Sequence, residues 1–161
     1  MTAQPRVFAQ RLGIVMALFA GPALVATAPA AEAAVPPSAA VTKAYEARVL
    51  VLINGQRAKY GRLALKPTYC PTWFAQRWAA NLARTGSFSH QSLTPILRVC
   101  SARRAAENMA LGNVSADRFL DLWMASPSHR ANILDPKLTR IGVSAVYANG
   151  KWMVVTDFTR A

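Results

Sequence analysis

Along residues 39–60, apolar side chains return at three- and four-residue steps: Val41, Tyr45, Val49, Leu52 and Ile53, with Gln56 on the same line. One stripe at that spacing predicts an amphipathic helix, and Gly61 fits its C-cap position. Leu63 and Leu65 then lead towards Pro67 and a loop. A second helix is predicted over 71–85, with Pro71 in its first turn and Gly86 beyond its end. Phe74, Trp78 and Leu82 are spaced by four, and Ala75 and Ala79 beside them allow close packing. Residues 91–105 show no period and read as irregular chain. The stretch 107–111 reads as a short edge strand ending at Gly112. Ser115 then caps a third helix over 116–125, with Asp117 in its first turn.

The C-terminal pattern has period two. Residues 141–147 and 152–158 are β-rich runs around Asn149-Gly150, the strongest short-range hairpin signal. In the second run Trp152, Val154 and Phe158 fall on one face, Met153 and Val155 on the other. A strand apolar on both faces needs cover on both. Helices on each side of a small antiparallel sheet supply that cover, so the predicted class is α+β, a three-layer α-β-α sandwich.

The N-terminus does not belong to this domain. Arg6 and Arg11 precede a charge-free apolar stretch over 12–31 broken by Gly21-Pro22. Ala31-Glu32-Ala33 then offers the small-x-small pattern of a signal-peptide cleavage site. Cleavage is expected after Ala33, followed by a spacer over 34–40 and a domain over 41–161, and the protein is expected to be secreted. The whole chain has 19 basic and 7 acidic residues; losing Arg6, Arg11 and Glu32 leaves a net charge of +11. Outside the cell such a charge favours wall polymers, lipid head groups or acidic polysaccharide. Nucleic acid fits the sign but not the compartment, and membrane contact is expected only during export or by surface association. Cys70 and Cys100 are the two cysteines. In an oxidising compartment a disulfide is the default for such a pair, and no C-x-x-C spacing supports a metal or redox role. Closing their loop would contribute roughly 3–4 kcal/mol on a chain-entropy basis.

Reactive side chains are few. The two histidines are His90, on the loop four residues after Gly86, and His129, in Ser126-Pro127-Ser128-His129. Pro127 suits a first helical position, so Ser126 would cap a short helix over 127–133. His129 would then lie near a helix N-terminus, whose partial positive charge favours neutral imidazole. Glu107 sits among small and apolar neighbours, which implies partial burial and a required partner. That partner is an arginine or backbone amides on a structural reading, the histidines on a functional one. Two imidazoles and a carboxylate would make a three-ligand zinc-type site, yet neither H-E-x-x-H nor G-x-S-x-G is present.

Several segments resemble the CAP superfamily of cysteine-rich secretory, antigen 5 and pathogenesis-related proteins, also called SCP-like domains. They are Val51-Leu52-Ile53-Asn54-Gly55-Gln56-Arg57, Gly86-Ser87-Phe88-Ser89-His90, Glu107-Asn108-Met109-Ala110-Leu111-Gly112, the run 123–134, Ile141-Gly142-Val143 and Asp157-Phe158. The W-x-x-S-P-x-H-R-x-N-I-L run is similar to the short bacterial branch. The resemblance implies an α-β-α sandwich with a cleft lined by two histidines and two acids. Carried over by position these are His90, His129 and Glu107, with the second acid falling at Ser126, which carries no charge. Arg130 would stand beside the cleft and favour anionic ligands. His90, His129 and Glu107 would be the ligands if a divalent metal such as zinc or calcium is held.

The favoured expectation is a secreted, non-catalytic binding module for a metal, a lipid or an anionic wall polymer. A metal-dependent hydrolase of peptides or wall polymers using His90, Glu107 and His129 is an alternative. An extracellular protein-interaction domain is the other.

Overall fold

The computed structural model describes residues 35–161. The expected signal segment and its cleavage point after Ala33 lie outside the described residues. Helix α1 (Ala39–Lys59) starts where Ser38 Oγ accepts from Val41 N at 3.3 Å. It ends at Tyr60, and Gly61 takes positive φ one residue later than the C-cap position expected of it. Val49, Ile53 and Arg57 are its buried residues, whereas Val41, at the start of the predicted stripe, is half exposed. Strand β1 (Lys66–Pro67) occupies part of the expected loop; Lys66 N bonds Thr139 O and Thr68 N bonds Ile141 O.

Helix α2 (Tyr69–Thr85) ends at Gly86, whose left-handed φ of 69° suits a residue without Cβ. The stretch expected to be irregular contains helix α3 (Thr94–Val99). Its six residues bury only Ile96, too short a run to show a helical period. Strand β2 (Arg104–Gly112) begins three residues earlier than expected. Helix α4 (Ala116–Ala125) is capped by Ser115 Oγ, which accepts from Arg118 N. Helix α5 is Pro127–Leu134, and strands β3 (Arg140–Ala148) and β4 (Lys151–Arg160) form the hairpin. Its turn residues Asn149 and Gly150 have φ of 51° and 72°, the positive values of the expected turn.

Strand order is β1-β3-β4-β2. The sheet is mixed rather than wholly antiparallel, because the short β1 runs parallel to β3 while β3 and β2 both run antiparallel to β4. Helices cover both faces. Trp152, Val154 and Phe158 of β4 pack with α1, α4 and α5 through Val49, Ile53, Phe119, Trp123 and Ile133. Met153 and Val155 pack with Ala75, Ala79 and Leu82 of α2. This is the three-layer α-β-α sandwich expected from the apolar residues on both faces of β4. Cys70 and Cys100 are disulfide-bonded, tying the start of α2 to the end of α3.

Arg57 continues the α1 stripe four residues after Ile53 and is 1% exposed. Its guanidinium donates to the carbonyls of Leu63, Ile133, Asp135 and Leu138 at 2.7–3.2 Å. One side chain thus holds the α1–β1 connection and the α5–β3 connection together. Burial lowers its pKa, and the nearby Asp135 opposes that shift.

Candidate functional site

Strand β2 is one edge of the sheet, so the backbone groups on its outer side have no strand partner. Side chains of the outer helices meet them. Trp123 Nε1 donates to Met109 O at 2.9 Å, and Asn132 Nδ2 donates to Glu107 O at 3.1 Å. Asn108 Nδ2 donates to His129 O at 3.0 Å and Asn108 Oδ1 accepts from Asn132. These bonds dock α4 and α5 against the edge strand and bring His129 towards the loop that carries His90. That loop is held in turn by Trp78, whose Nε1 donates to Ser89 O at 2.9 Å.

The polar centre lies on the α2 side of this edge. His90 Nδ1 stands 2.5 Å from Glu107 Oε1. A carboxylate accepts, so Nδ1 carries the proton and Nε2 is free. The His90 side chain is 59% exposed and that of Glu107 only 2%, so one end of the pair meets solvent and the other is buried. Gln91 donates its backbone N–H to Glu107 Oε1 at 3.3 Å and its Nε2 to Oε2 at 2.7 Å. The same Nε2 lies 3.0–3.2 Å from both oxygens of Asp157. Glu107 and Asp157 are directly opposite each other across β2 and β4.

Asp157 is therefore the acid that stands beside Glu107. The family pattern places the second acid at position 126, which here is serine. Spacing did not find Asp157 because its relation to Glu107 is a pairing between strands 50 positions apart. An acid inside a strand apolar on both faces was the available signal. Burial, and then the charge of Glu107, push its carboxyl up to about 8, while the bond from Gln91 works the other way. Between the ordinary aspartate range and about pH 8, the folded chain holds a proton that the unfolded chain has released. Stability should then fall as pH rises through that window. Asp157→Asn removes the cost while keeping an acceptor for Gln91. Relative to the unaltered protein, it should gain on the order of 3–4 kcal/mol between pH 5 and pH 8. Denaturant unfolding at the two pH values measures this, and equal differences at both would show that the carboxyl is not held protonated.

His129, on α5, is partly buried. That burial, and next the proximity of His90, hold its imidazolium below the ordinary range, so the ring is neutral near pH 7. Ser126 occupies the N-cap position of α5 in extended backbone but makes no side-chain cap; its Oγ lies 3.4 Å from Ser128 Oγ. Arg130 does not join the cleft. Its guanidinium lies 5.0 Å over the Tyr60 ring and donates to Tyr60 Oη at 3.1 Å. It borders a separate cavity of about 390 Å³ with Pro127 and Leu134. Successive helical residues point in different directions, so His129 and Arg130 face different surroundings.

Two neighbouring spaces follow the edge. The polar one, about 250 Å³, is lined by His90, Gln91, Glu107, Asn132 and Ala105 and Ala106 of β2. The other, about 450 Å³, is walled by Phe88, Met109, Leu111, Leu122 and Trp123, with Ser126 and His129. Phe88 and His90 are two residues apart on one loop, and Glu107 and Met109 two apart on one strand, so the apolar groove and the polar pocket are neighbours along the edge.

Both oxygens of Glu107 already accept hydrogen bonds, and among the described residues no three His, Cys, Asp or Glu side chains converge as a metal-binding group.

The three-layer α-β-α sandwich is that of the CAP fold. Residues 50–158 match that family, described as the cysteine-rich secretory protein family, and the chain belongs to it. It is 33% identical over 116 residues to the uncharacterized protein YkwD of Bacillus subtilis; the match covers 68% of this chain and 45% of YkwD. The fold is shared with an outer surface protein of Borrelia burgdorferi, at a TM-score of 0.68 and 20% identity, covering 78% of this chain and 96% of that one. It is also shared with an extracellular protein of Bacillus anthracis containing an SCP domain, at a TM-score of 0.62 and 23% identity, covering 78% and 45%. No helix of the described residues is long and apolar enough to cross a membrane.

Proposed function

We propose that this protein is a secreted, non-catalytic binding module whose cleft takes a single-chain amphiphile. The observation that carries this reading is the placement of an apolar groove and a polar pocket side by side along β2. The groove between Phe88, Leu111, Leu122 and Trp123 suits an alkyl chain, and the pocket beside it offers His90 Nε2 as an acceptor beside the Glu107 carboxylate. A head group that donates a hydroxyl satisfies that acceptor, whereas an anionic head group meets the charge of Glu107. Phe88, Leu111 and Leu122 are each 39–48% exposed, and apolar surface grouped in this way favours occupancy over open water. The disulfide suits an oxidising compartment. The outer-surface and extracellular proteins that share the fold are in accord with secretion.

Titrating the protein with a long-chain monoacylglycerol tests this reading. Saturable binding is expected, weaker for the corresponding fatty acid. Leu122→Asp, on the exposed wall of the groove, should weaken binding by about tenfold, the order expected when a buried apolar contact is lost. Absence of saturable binding would overturn the proposal. Hydrolysis of the ester that disappears in His90→Ala would replace it with catalysis, His90 acting as base.

A further inference from the structure

At the other edge of the sheet, Lys66 of β1 lies directly opposite Arg140 of β3. At the same end, Arg104 of β2 lies directly opposite Arg160 of β4. Like charges facing each other across a strand pair repel and destabilise the pairing, and here two such pairs occur at one end of one small sheet. Only Arg104 is compensated, by Asp135 at 2.6 Å. Among the described residues Lys66, Arg140 and Arg160 have no ion-pair partner, and neither has Arg103, whose N–H bonds Arg160 O. Acids are not available to supply one. Glu46, Glu107, Asp117, Asp135 and Asp157 are all engaged elsewhere, and Asp121 is on α4.

Lys66 and Arg140 also wall a recess of about 600 Å³ between the α1–β1 and α5–β3 connections, with Leu63, Pro136 and Leu138. Arg57 holds both connections from beneath. The recess is therefore built on a fixed frame and carries two uncompensated cations on strands about 5 Å apart.

We propose that this end of the sheet is a second binding surface, for an extracellular polymer bearing phosphate groups, with a phosphate seated between Lys66 and Arg140. Three features select that partner. A tetrahedral phosphate presents oxygens in more than one direction, so it bridges two cations that face each other, and an arginine fork matches its oxygens. Further unpaired cations continue along this end, Arg160 on β4 and Arg103 just before β2, a spread of roughly 15 Å at sheet spacing, which exceeds the reach of one phosphate and matches a chain of them. The recess is concave, so a planar bilayer would meet its rim and not the cations on its walls. The Lys66–Arg140 seat lies at the opposite edge of the sheet from Glu107 and does not depend on what the cleft binds.

The test is fluorescence anisotropy of labelled long-chain inorganic polyphosphate titrated with the protein, with phosphatidylglycerol vesicles and polygalacturonate as the other arms. Lys66→Glu/Arg140→Glu should weaken polyphosphate binding by about tenfold or more. Lys43→Glu/Lys151→Glu, an equal change of charge on the first half of α1 and at the β3–β4 turn, should weaken it by less than about threefold. Lys66→Gln/Arg140→Gln, which removes repulsion without adding charge, should unfold no earlier than the unaltered protein and still lose binding. Equal weakening by the two Glu pairs would overturn the site in favour of overall charge. No binding of polyphosphate, or tighter binding of vesicles or polygalacturonate, would overturn the partner.

Discussion

Gly142→Ala is expected to cost about 4 kcal/mol or more, enough to prevent this domain from folding at ordinary temperature. Gly142 lies on β3 where the strand passes the beginning of α2. A Cβ at this position would overlap the backbone of Pro71 and Thr72 rather than any side chain that could turn aside. Neither neighbour has room to withdraw. The start of α2 is anchored by the Cys70–Cys100 disulfide, and β3 is paired on both sides by β1 and β4. The smallest side chain would therefore have to separate a helix from the sheet it covers, exposing the contacts of Ala75, Ala79 and Leu82. Unfolding midpoints and near-ultraviolet circular dichroism provide the readout. A variant with native dichroism and a loss below about 1 kcal/mol would mean that the helix can move away cheaply.

Arg57→Met should cost about 3–5 kcal/mol, because methionine fills most of the volume while leaving up to four carbonyls without their donor. Two of those bonds, to Ile133 O and Leu138 O, are buried. The loss should be local in its structural effect. Hydrogen exchange is expected to quicken in the α5–β3 connection and around Leu63, with the β3–β4 hairpin least affected. Denaturant unfolding measures the energy. A change under about 1 kcal/mol would show that water replaces the guanidinium without penalty.

The uneven legibility of this chain in its sequence has a physical origin. Helix α4 announced itself through Ser115, Asp117 and an apolar face, and the β3–β4 turn through Asn149-Gly150, because both signals are local. The double-sided apolar pattern of β4 implied helices on each face, and α1 and α2 supply them. Strand β1 escaped notice because two residues carry no period, and α3 because it buries a single side chain. Arg57 stood at the correct spacing, four residues beyond Ile53, yet a charged residue at the end of an apolar stripe reads as solvated until its carbonyl partners are seen. At the site, His90, Glu107 and His129 were found through motifs. Asp157 stood in a matching segment but was not read as a site residue, since what joins it to Glu107 is the register of β2 on β4, and Gln91 reaches both acids only through the fold of its loop.

That register also leaves β2 on the outside of the sheet, where the indole of Trp123 and the amide of Asn132 occupy Met109 O and Glu107 O. An edge with open acceptors is a template on which another chain can add a strand, by recognition or by aggregation. Here an incoming strand would have to displace two side-chain donors and lift α4 and α5 with them. Partners of this protein are thus turned away from backbone pairing along Glu107–Met109, and crowded copies have no ready seam along that stretch from which to grow a shared sheet.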